Sequence, residues 1–347
     1  VAAFAQRYRG NVAALAGGAQ ASAELGKAVE QYEALQDLLG RLMSYASLLY
    51  AGDTTDPARA KFYGDVQEKV TNASAQLLFF QLELNRLDDA VLMKAAETAP
   101  LSRWRPWLED IRKEKPHELD DKLEELFHEK YISGAAAWNR LFDETIAGLR
   151  FSIGGQELAI EPALNFMQDQ NEEKRREAAQ AIGVTLKANI RTFALITNTL
   201  AKDKEISDRW RGFKDVADSR HLSNRVEREV VEALARAVED AHPRLSHRYY
   251  RLKAKWFGKD ALDYWDRSAP LPAAPSKHYA WPEAREVVLG AYQGFAPRMA
   301  EIAGRFFDER WIDAPVRPGK APGAFSHPTV PSAHPYVLLN FQGKTRD

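Results

Sequence analysis

Proline spacing near the end of the chain excludes a long helix there. Six prolines fall within about twenty residues, each fixing φ and removing a backbone N–H donor. They are Pro315, Pro318, Pro322, Pro328, Pro331 and Pro335. The apolar run Tyr336–Phe341 follows, bounded by Pro335 and Gly343. Its length and composition predict a buried β-strand, preceded by a glycine-marked loop suited to placing backbone groups against a ligand.

Most of the remaining chain has the apolar spacing of amphipathic helices. The clearest run covers residues 62–87 and predicts one helix of about seven turns. A coiled-coil partner surface would show a similar run, but irregular charges at the flanking positions favour a helix packed within a helical lobe. Residues 171–188 predict an exposed charged helix, and residues 283–307 a helix kinked near Pro297.

The apolar period changes at residue 150. Residues 150–160 alternate apolar and polar side chains around Gly154-Gly155, which is typical of a β-hairpin. The predicted fold class is therefore mainly α, a multi-helix lobe with a small hairpin and a short strand region near the C-terminus. Three regions are expected: an N-terminal helical region at 1–113, a region with the hairpin at 114–200, and a third at 201–347.

Composition excludes several classes of function. The net charge of −1 gives no bulk electrostatic attraction to nucleic acid or an anionic membrane. The absence of cysteine excludes disulfides and thiolate catalysis and fits a reducing compartment, so the cytoplasm is expected. No apolar run is long enough to predict a transmembrane helix. Val1 stands where an initiator Met would be expected, which suggests truncation at the front.

No complete catalytic or metal-binding motif occurs in the chain. A zinc-peptidase helix needs two histidines four residues apart with a glutamate between them. His117-Glu118 and His128-Glu129 both lack the second histidine, and we interpret both pairs as exposed helix residues. Gly343-Lys344-Thr345 lacks the upstream glycine of a phosphate loop, because Leu338 occupies that position.

Several C-terminal segments resemble the oligoendopeptidase F family of zinc peptidases, relatives of thimet oligopeptidase and neurolysin. The segments are Trp311-Ile312-Asp313, Arg317-Pro318-Gly319-Lys320, Gly323-Ala324-Phe325-Ser326 and His334-Pro335-Tyr336-Val337-Leu338-Leu339-Asn340-Phe341. Residues 249–272 are also similar, and the hairpin resembles one in the family's N-terminal region. The resemblance implies a zincin-like oligopeptidase that hydrolyses short peptides.

The resemblance also implies where the chain stops. In the family, the residues after Gly343 lead into the His-Glu-x-x-His zinc helix, so the zinc ligands and catalytic glutamate would follow Asp347. The expected molecule is thus the N-terminal portion of the enzyme, with no catalytic residue or metal ligand, inactive without a missing C-terminal catalytic part. Zinc is expected in the complete enzyme only. The alternative is a non-catalytic helical module that binds peptides or a partner protein.

By analogy with zinc peptidases, a strand before the metal helix lies beside the substrate and pairs with its backbone. The expected ligands are short peptides, with no nucleic-acid or membrane partner. His327 and His334 could reach substrate, although both also fit loop histidines bonded to the backbone. The predicted substrate-binding residues are Gly323, Ala324, Phe325, Ser326, His334 and Tyr336.

Overall fold

The computed structural model describes residues 1–18, 20–272 and 278–343. The chain is mostly helical, at 67%, which confirms the predicted mainly α class, and its short strands form two small sheets. The helices are α1 (Ala2–Tyr8), α2 (Val12–Leu15), α3 (Ala21–Ala51), α4 (Pro57–Ala75), α5 (Leu78–Arg86), α6 (Asp89–Ala95), α7 (Arg105–Glu114), α8 (Asp121–Ser133), α9 (Ala135–Gly148), α10 (Ile160–Phe166), α11 (Glu172–Ala188), α12 (Ile190–Trp210), α13 (Asp218–Ser223), α14 (Arg228–Ala241), α15 (Ser246–Trp256), α16 (Trp281–Phe295) and α17 (Pro297–Asp308). The strands are β1 (Phe151–Ile153), β2 (Gln156–Leu158), β3 (Ile312–Pro315), β4 (Phe325–His327) and β5 (Tyr336–Phe341). Short 3₁₀ helices span Leu101–Trp104, Lys115–His117 and Tyr264–Asp266.

The backbone divides into two compact units. The first unit comprises Val1–Ala46, Phe62–Arg140 and Leu195–Arg236. The second unit comprises Ser47–Lys61, Leu141–Ala194 and Ala237–Asp347. The three sequential regions at 1–113, 114–200 and 201–347 remain a prediction. No helix in the described ranges is both long and apolar enough to cross a membrane.

An aromatic cluster lies at the centre of the first unit. The Phe80 ring centroid lies 5.2 Å from that of Phe4 and 4.9 Å from that of Tyr32. Fully buried leucines, including Leu25 and Leu84, surround these rings. Burying a side chain of this size contributes about 1.5–3 kcal/mol, so this core is the main source of stability in the unit.

The helix predicted over residues 62–87 is two helices, because α4 ends at Ala75 and α5 begins at Leu78. The Leu77 N–H donates to the Ser74 carbonyl (2.8 Å), closing a turn between them. Leu77 and both adjacent phenylalanines, Phe79 and Phe80, are buried. Most of the circumference of α5 is buried, whereas α4 buries only one side. The apolar residues from Val70 onward pack in the core of the lobe, as the preferred interpretation stated, whereas Phe62 is 40% exposed.

The helix predicted over residues 283–307 is also divided. Residue Ala296 has an extended backbone (φ −156°, ψ 118°), so α16 and α17 are separate helices and Pro297 starts the second. The kinked helix predicted over residues 283–307 was therefore wrong. The physical reason is that a proline ring disfavours the helical conformation of the residue before it.

The hairpin prediction is confirmed. Strands β1 and β2 pair antiparallel, with Phe151 opposite Leu158. Gly154 and Gly155 have φ of +59° and +74°, as a two-residue turn with two left-handed positions requires. Phe151 is fully buried in a cluster with Ala163 of α10 and Ala178 of α11.

The C-terminal strands form a three-stranded sheet in the order β3-β5-β4. The central strand β5 pairs parallel with β3 (Ile312 opposite Val337) and antiparallel with β4 (Phe325 opposite Leu338). The strand predicted at Tyr336–Phe341 is thus confirmed. The strand was also predicted to be buried, and this holds only at Leu338, which is 3% exposed. Tyr336 is 37% exposed, and the other residues of the strand are partly buried.

Candidate functional site

The β4 strand is an edge of the C-terminal sheet. Within the described ranges it pairs with β5 on one side and with no strand on the other. The Val337 N–H donates to the Trp311 carbonyl (2.9 Å), on the β3 side of β5, so Val337 and Ser326 are not a hydrogen-bonded pair. The neighbouring pair His327–Tyr336 exchanges the hydrogen bonds instead. Ser326, one residue away, therefore directs its N–H and C=O away from β5. We call residues 323–327 the β4 edge.

The structure places the predicted substrate-binding residues in this sheet and in the loops beside it. Gly323, Ala324, Phe325 and Ser326 are consecutive and exposed on the β4 edge. Tyr336 lies opposite His327 at the start of β5. The sixth residue, His334, lies in the turn before β5.

Both histidines of this region are bonded to the backbone. The His334 ring stacks on Trp311 at 3.9 Å, lies 4.6 Å from the Tyr336 ring, and its Nδ1 donates to the Pro335 carbonyl (3.2 Å). The His327 Nδ1 accepts from the Thr329 N–H (3.0 Å). These contacts match the loop-histidine interpretation.

Two side chains fix the loop that leads into β4. The Asn340 amide donates to the carbonyls of Ala321 and Gly323, both at 3.0 Å. The Gly323 N–H donates to the Glu161 carboxylate, and Gln342 donates to the Glu161 carbonyl (3.4 Å). Gly323 has φ +77°, a left-handed conformation that favours glycine. The start of the β4 edge is therefore fixed by Asn340 at its carbonyl and by Glu161 at its N–H.

A buried ammonium ties this loop to the sheet. The Lys320 Nζ donates to the carbonyls of Asp313 (2.9 Å), Pro315 (2.8 Å) and Leu339 (2.8 Å), and lies 3.2 Å from Asp313 Oδ1. Its side chain is 0% exposed. Burial lowers the pKa of Lys320, although Asp313 acts in the opposite direction. Sequence reasoning missed this residue, whose only signal is a charge within a run of glycine, proline and alanine.

The turn at residues 51–55 supports the same loop. The Gly319 carbonyl accepts from the Thr54 N–H (2.7 Å) and hydroxyl (3.0 Å), and the Ala321 N–H donates to the Ala51 carbonyl (2.9 Å). Gly319 has φ +78°, and a Cβ there would overlap the Asp53 carboxylate and Thr55 hydroxyl. Glycine is required at this position for both conformation and space.

A buried ion-pair network lies elsewhere in the second unit. Arg175 on α11 bonds Asp266 at 2.6 Å, and both side chains are almost fully buried. The Lys259 ammonium bonds Glu172 (2.6 Å), Asp263 (3.0 Å) and Asp266 (2.6 Å). The prediction of an exposed helix at 171–188 was therefore wrong at Arg175, because its ion-pair partner lies far away in sequence.

The three carboxylates of this network are the one group in the described chain close enough together to hold a metal ion, with oxygens within 4.8 Å of one another. The Lys259 ammonium already bonds all three carboxylates and occupies the position that a metal ion would take. The group contains no imidazole or thiolate, the ligands that zinc prefers. These residues therefore do not fit a zinc ion, and we interpret them as a structural network.

Of the two His-Glu pairs, only Glu129 is exposed as predicted. His117 is half-buried, stacks on Phe213 (3.9 Å, 16° between rings), and its Nδ1 donates to the Arg211 carbonyl (2.9 Å). His128 is also half-buried, and its Nε2 donates to the Thr71 carbonyl (3.3 Å). The exposed interpretation was wrong for both histidines, because residues distant in sequence cover them.

Two family models match the chain. Residues 83–151 match the family described as Oligopeptidase F. Residues 165–347, more than half of the chain, match the family described as Peptidase family M3.

Individual proteins show the same likeness. Oligopeptidase PepF of Bacillus subtilis is 24% identical over 352 residues, covering 98% of this chain and 51% of the relative. Group B oligopeptidase PepB of Streptococcus agalactiae is 28% identical over 316 residues, covering 88% and 51%. The solved oligoendopeptidase-F of Enterococcus faecium has a TM-score of 0.70 at 18% identity, over 89% of this chain and 58% of that one, which shows a shared fold. The chain spans about half the length of these curated relatives.

Proposed function

The chain belongs to peptidase family M3, and we propose that it is the N-terminal portion of a zinc metalloendopeptidase that hydrolyses short peptides. Membership of the family supports the reaction class, and so does the resemblance of its C-terminal segments to oligoendopeptidase F. We place zinc in the complete enzyme and assign no zinc ligand to residues 1–347, because they contain no His-Glu-x-x-His sequence.

The observation that carries our proposal for this portion is the free edge of β4. An extended peptide can add to such an edge as a further strand, with its backbone bonded to the exposed N–H and C=O groups. Ser326 would supply this pair of groups. Ala324 would extend the contact toward the loop. Gly323, whose N–H and C=O are already bonded to Glu161 and Asn340, would contribute the open space left by its missing side chain.

The central strand β5 would act through side chains. Its backbone pairs with β3 on one side and β4 on the other at Val337 and Leu338, so it has no free edge there. Tyr336 is partly exposed and lies beside β4, and the His334 ring packs against it. We therefore propose that Tyr336, His334 and Phe325 contact substrate side chains.

The network behind the edge favours binding because it holds the edge in place before the peptide arrives. Asn340 and Lys320 together fix five backbone carbonyls of β3, β5 and the connecting loop. A preformed edge loses less conformational entropy on binding than a mobile one.

The proposed partner of this chain is the C-terminal catalytic part of the complete enzyme. Helices α16 and α17 have no buried residue and expose large apolar side chains. Phe295 is 81% exposed, Val287 48% and Ile302 44%. Large apolar side chains exposed on two neighbouring helices support an interaction face, and we propose that the C-terminal part covers it.

The alternative is a non-catalytic helical module that binds peptides or a partner protein. The same β4 edge would hold a peptide without any metal. Peptide hydrolysis by the complete protein separates the two functions.

The test compares residues 1–347 with the complete protein, measuring bound zinc by elemental analysis and cleavage of a quenched fluorescent peptide. We expect zinc and hydrolysis in the complete protein and neither in residues 1–347. A stoichiometric zinc signal in residues 1–347 that is lost on mutating one of their histidines would overturn the assignment. A zinc-free complete protein that binds peptides without cutting them would favour the alternative.

A further inference from the structure

A cavity with a volume of about 330 Å³ lies in the first unit. Its walls are partly apolar, at Leu78, Leu82 and Leu222, and partly polar, at His117 and Glu118. The volume is within the range of small-molecule sites, which combine apolar walls with a few placed polar groups. We call it the His117 cavity.

One wall of the His117 cavity is rigidly built. Besides stacking on Phe213, His117 exchanges hydrogen bonds with Arg211: its Nδ1 donates to the Arg211 carbonyl (2.9 Å), and the Arg211 guanidinium donates back to the His117 carbonyl (3.1 Å). The guanidinium also bonds both Glu124 oxygens, at 2.6 and 2.8 Å. Burial raises the pKa of Glu124, but the bonds from Arg211 and Leu119 lower it below its usual value.

The charges of the wall do not balance. Glu124 is neutralised by Arg211, and Glu114 pairs with Arg225 at 2.6 Å. Glu118 has no ion-pair partner among the residues that the structure describes. One carboxylate of the cavity wall is therefore not part of an ion pair.

The surroundings of Glu118 hold its carboxylate in place. It accepts a hydrogen bond from the amide of Asn85, which is 1% exposed and also donates to the Ile111 carbonyl (2.9 Å). The nearby Arg86 guanidinium is already paired with Asp121. Burial raises the pKa of Glu118, with the Asn85 bond acting against it. A half-buried carboxylate without a cation is stabilised by binding one.

We propose that the His117 cavity binds a small organic monocation, with an ammonium or guanidinium head at Glu118 and an apolar body against Phe213 and Leu222. An anion is disfavoured because Arg211 is already bonded to Glu124. A divalent metal ion is disfavoured because it needs several oxygen ligands, and Glu118 is the one unpaired carboxylate of the wall. Binding of the cation does not depend on peptide hydrolysis.

The experiment is isothermal titration calorimetry on the full chain with n-butylguanidinium as the probe. We expect one saturable site, at least tenfold weaker binding in Glu118→Gln, and no saturable binding of neutral 1-pentanol. Glu129→Gln, an exposed glutamate on α8, is the matched control and should bind as the wild type does. Equal affinity in Glu118→Gln, or equal binding of the alcohol, would overturn the proposal.

A second variant guards against misfolding of Glu118→Gln. Ser223→Trp places a large ring at the exposed rim of the cavity, leaves Glu118 intact, and should also abolish binding. Unchanged binding in this variant would place the ligand elsewhere and reject the proposal. Competition by acetyl-Gly-Arg-Gly-amide would identify the cation as a basic peptide side chain, and absence of competition would identify it as a free small molecule.

Discussion

Arg175 and Asp266 form an ion pair at 2.6 Å in which the two side chains are 1% and 0% exposed. The pair joins α11 to the 3₁₀ helix at Tyr264–Asp266, and Lys259 adds a second cation on the other Asp266 oxygen. Arg175 also donates to the carbonyls of Asp169 and Gln170 (both 2.9 Å), so the pair and its further partners fix the relative positions of these elements. Removing one partner would leave an uncompensated buried charge.

Asp266→Asn should lower the free energy of unfolding by about 3–5 kcal/mol, the usual loss when one member of a buried pair is removed. Urea unfolding followed by circular dichroism measures the change. Glu173→Gln, which breaks the exposed Arg176–Glu173 pair, is the control and should cost less than about 1 kcal/mol. A similar loss of unfolding free energy in the two variants would show that the buried pair contributes no more to stability than the exposed pair.

Acid should weaken the same contact. Burial raises the pKa of Asp266, but the bonds from Arg175 and Lys259 outweigh it and hold the pKa below the usual 3.8. The folded state therefore binds this proton more weakly than the unfolded state, so the stabilisation is complete above pH 3.8 and is lost as the pH falls below it. The urea midpoint should fall less steeply with acidification in Asp266→Asn than in the wild type, and parallel curves would contradict this.

Tyr32 should make the first unit sensitive to alkali. Burial raises the pKa of its phenol from 10.0 to about 12, although the hydrogen bond from Gln36 (2.8 Å) acts the other way. A raised pKa means that the stabilisation is complete below pH 10 and is lost as the pH rises through the folded value. Two pH units correspond to about 2.7 kcal/mol.

The phenolate absorbance of the protein tests this directly. Tyr32→Phe should remove a phenolate step at about pH 12, whereas Tyr45→Phe, on the exposed side of α3, should leave that step in place. An unchanged titration curve in Tyr32→Phe would show that the phenol is not shielded.

Gly319 and Gly323 should differ on substitution although their backbones are alike. Both have φ near +78°, so alanine at either position costs about 1–2 kcal/mol in backbone strain. The added Cβ at Gly319 would also overlap Asp53 and Thr55, whereas open space surrounds Gly323. Thermal unfolding should therefore show a larger loss of stability for Gly319→Ala than for Gly323→Ala. Equal losses of stability would show that the turn at 51–55 can move away from the added Cβ without destabilising the fold.

The sequence predicted those elements whose signal is local. The helices followed from apolar spacing, the hairpin from Gly154-Gly155, and β5 from an apolar run between Pro335 and Gly343. Strand β4 was not predicted as a strand, because three residues are too short to show alternation. The division between α4 and α5 was missed because the apolar period continues through it and only burial changes.

The contacts that position the candidate site are mostly non-local. Lys320 bonds to backbone carbonyls, and because every residue carries one, the sequence does not show which carbonyls it will bond. Arg175 and Asp266 lie 91 residues apart, so the local sequence around either residue does not predict its partner. The six predicted substrate-binding residues came from a family resemblance. The structure places three of them in one sheet and three in the loops beside it, and their roles are a proposal.

The most direct test of the peptide-binding edge is the kinetics of Ser326→Pro in the complete enzyme. Proline removes the N–H that faces the free edge while remaining tolerable in an edge strand. We expect KM for a peptide substrate to rise about tenfold, the equivalent of one backbone hydrogen bond, with the zinc content unchanged. Ser326→Ala keeps the N–H and should behave as the wild type does. A Ser326→Pro enzyme with unchanged KM and kcat would contradict peptide binding along β4.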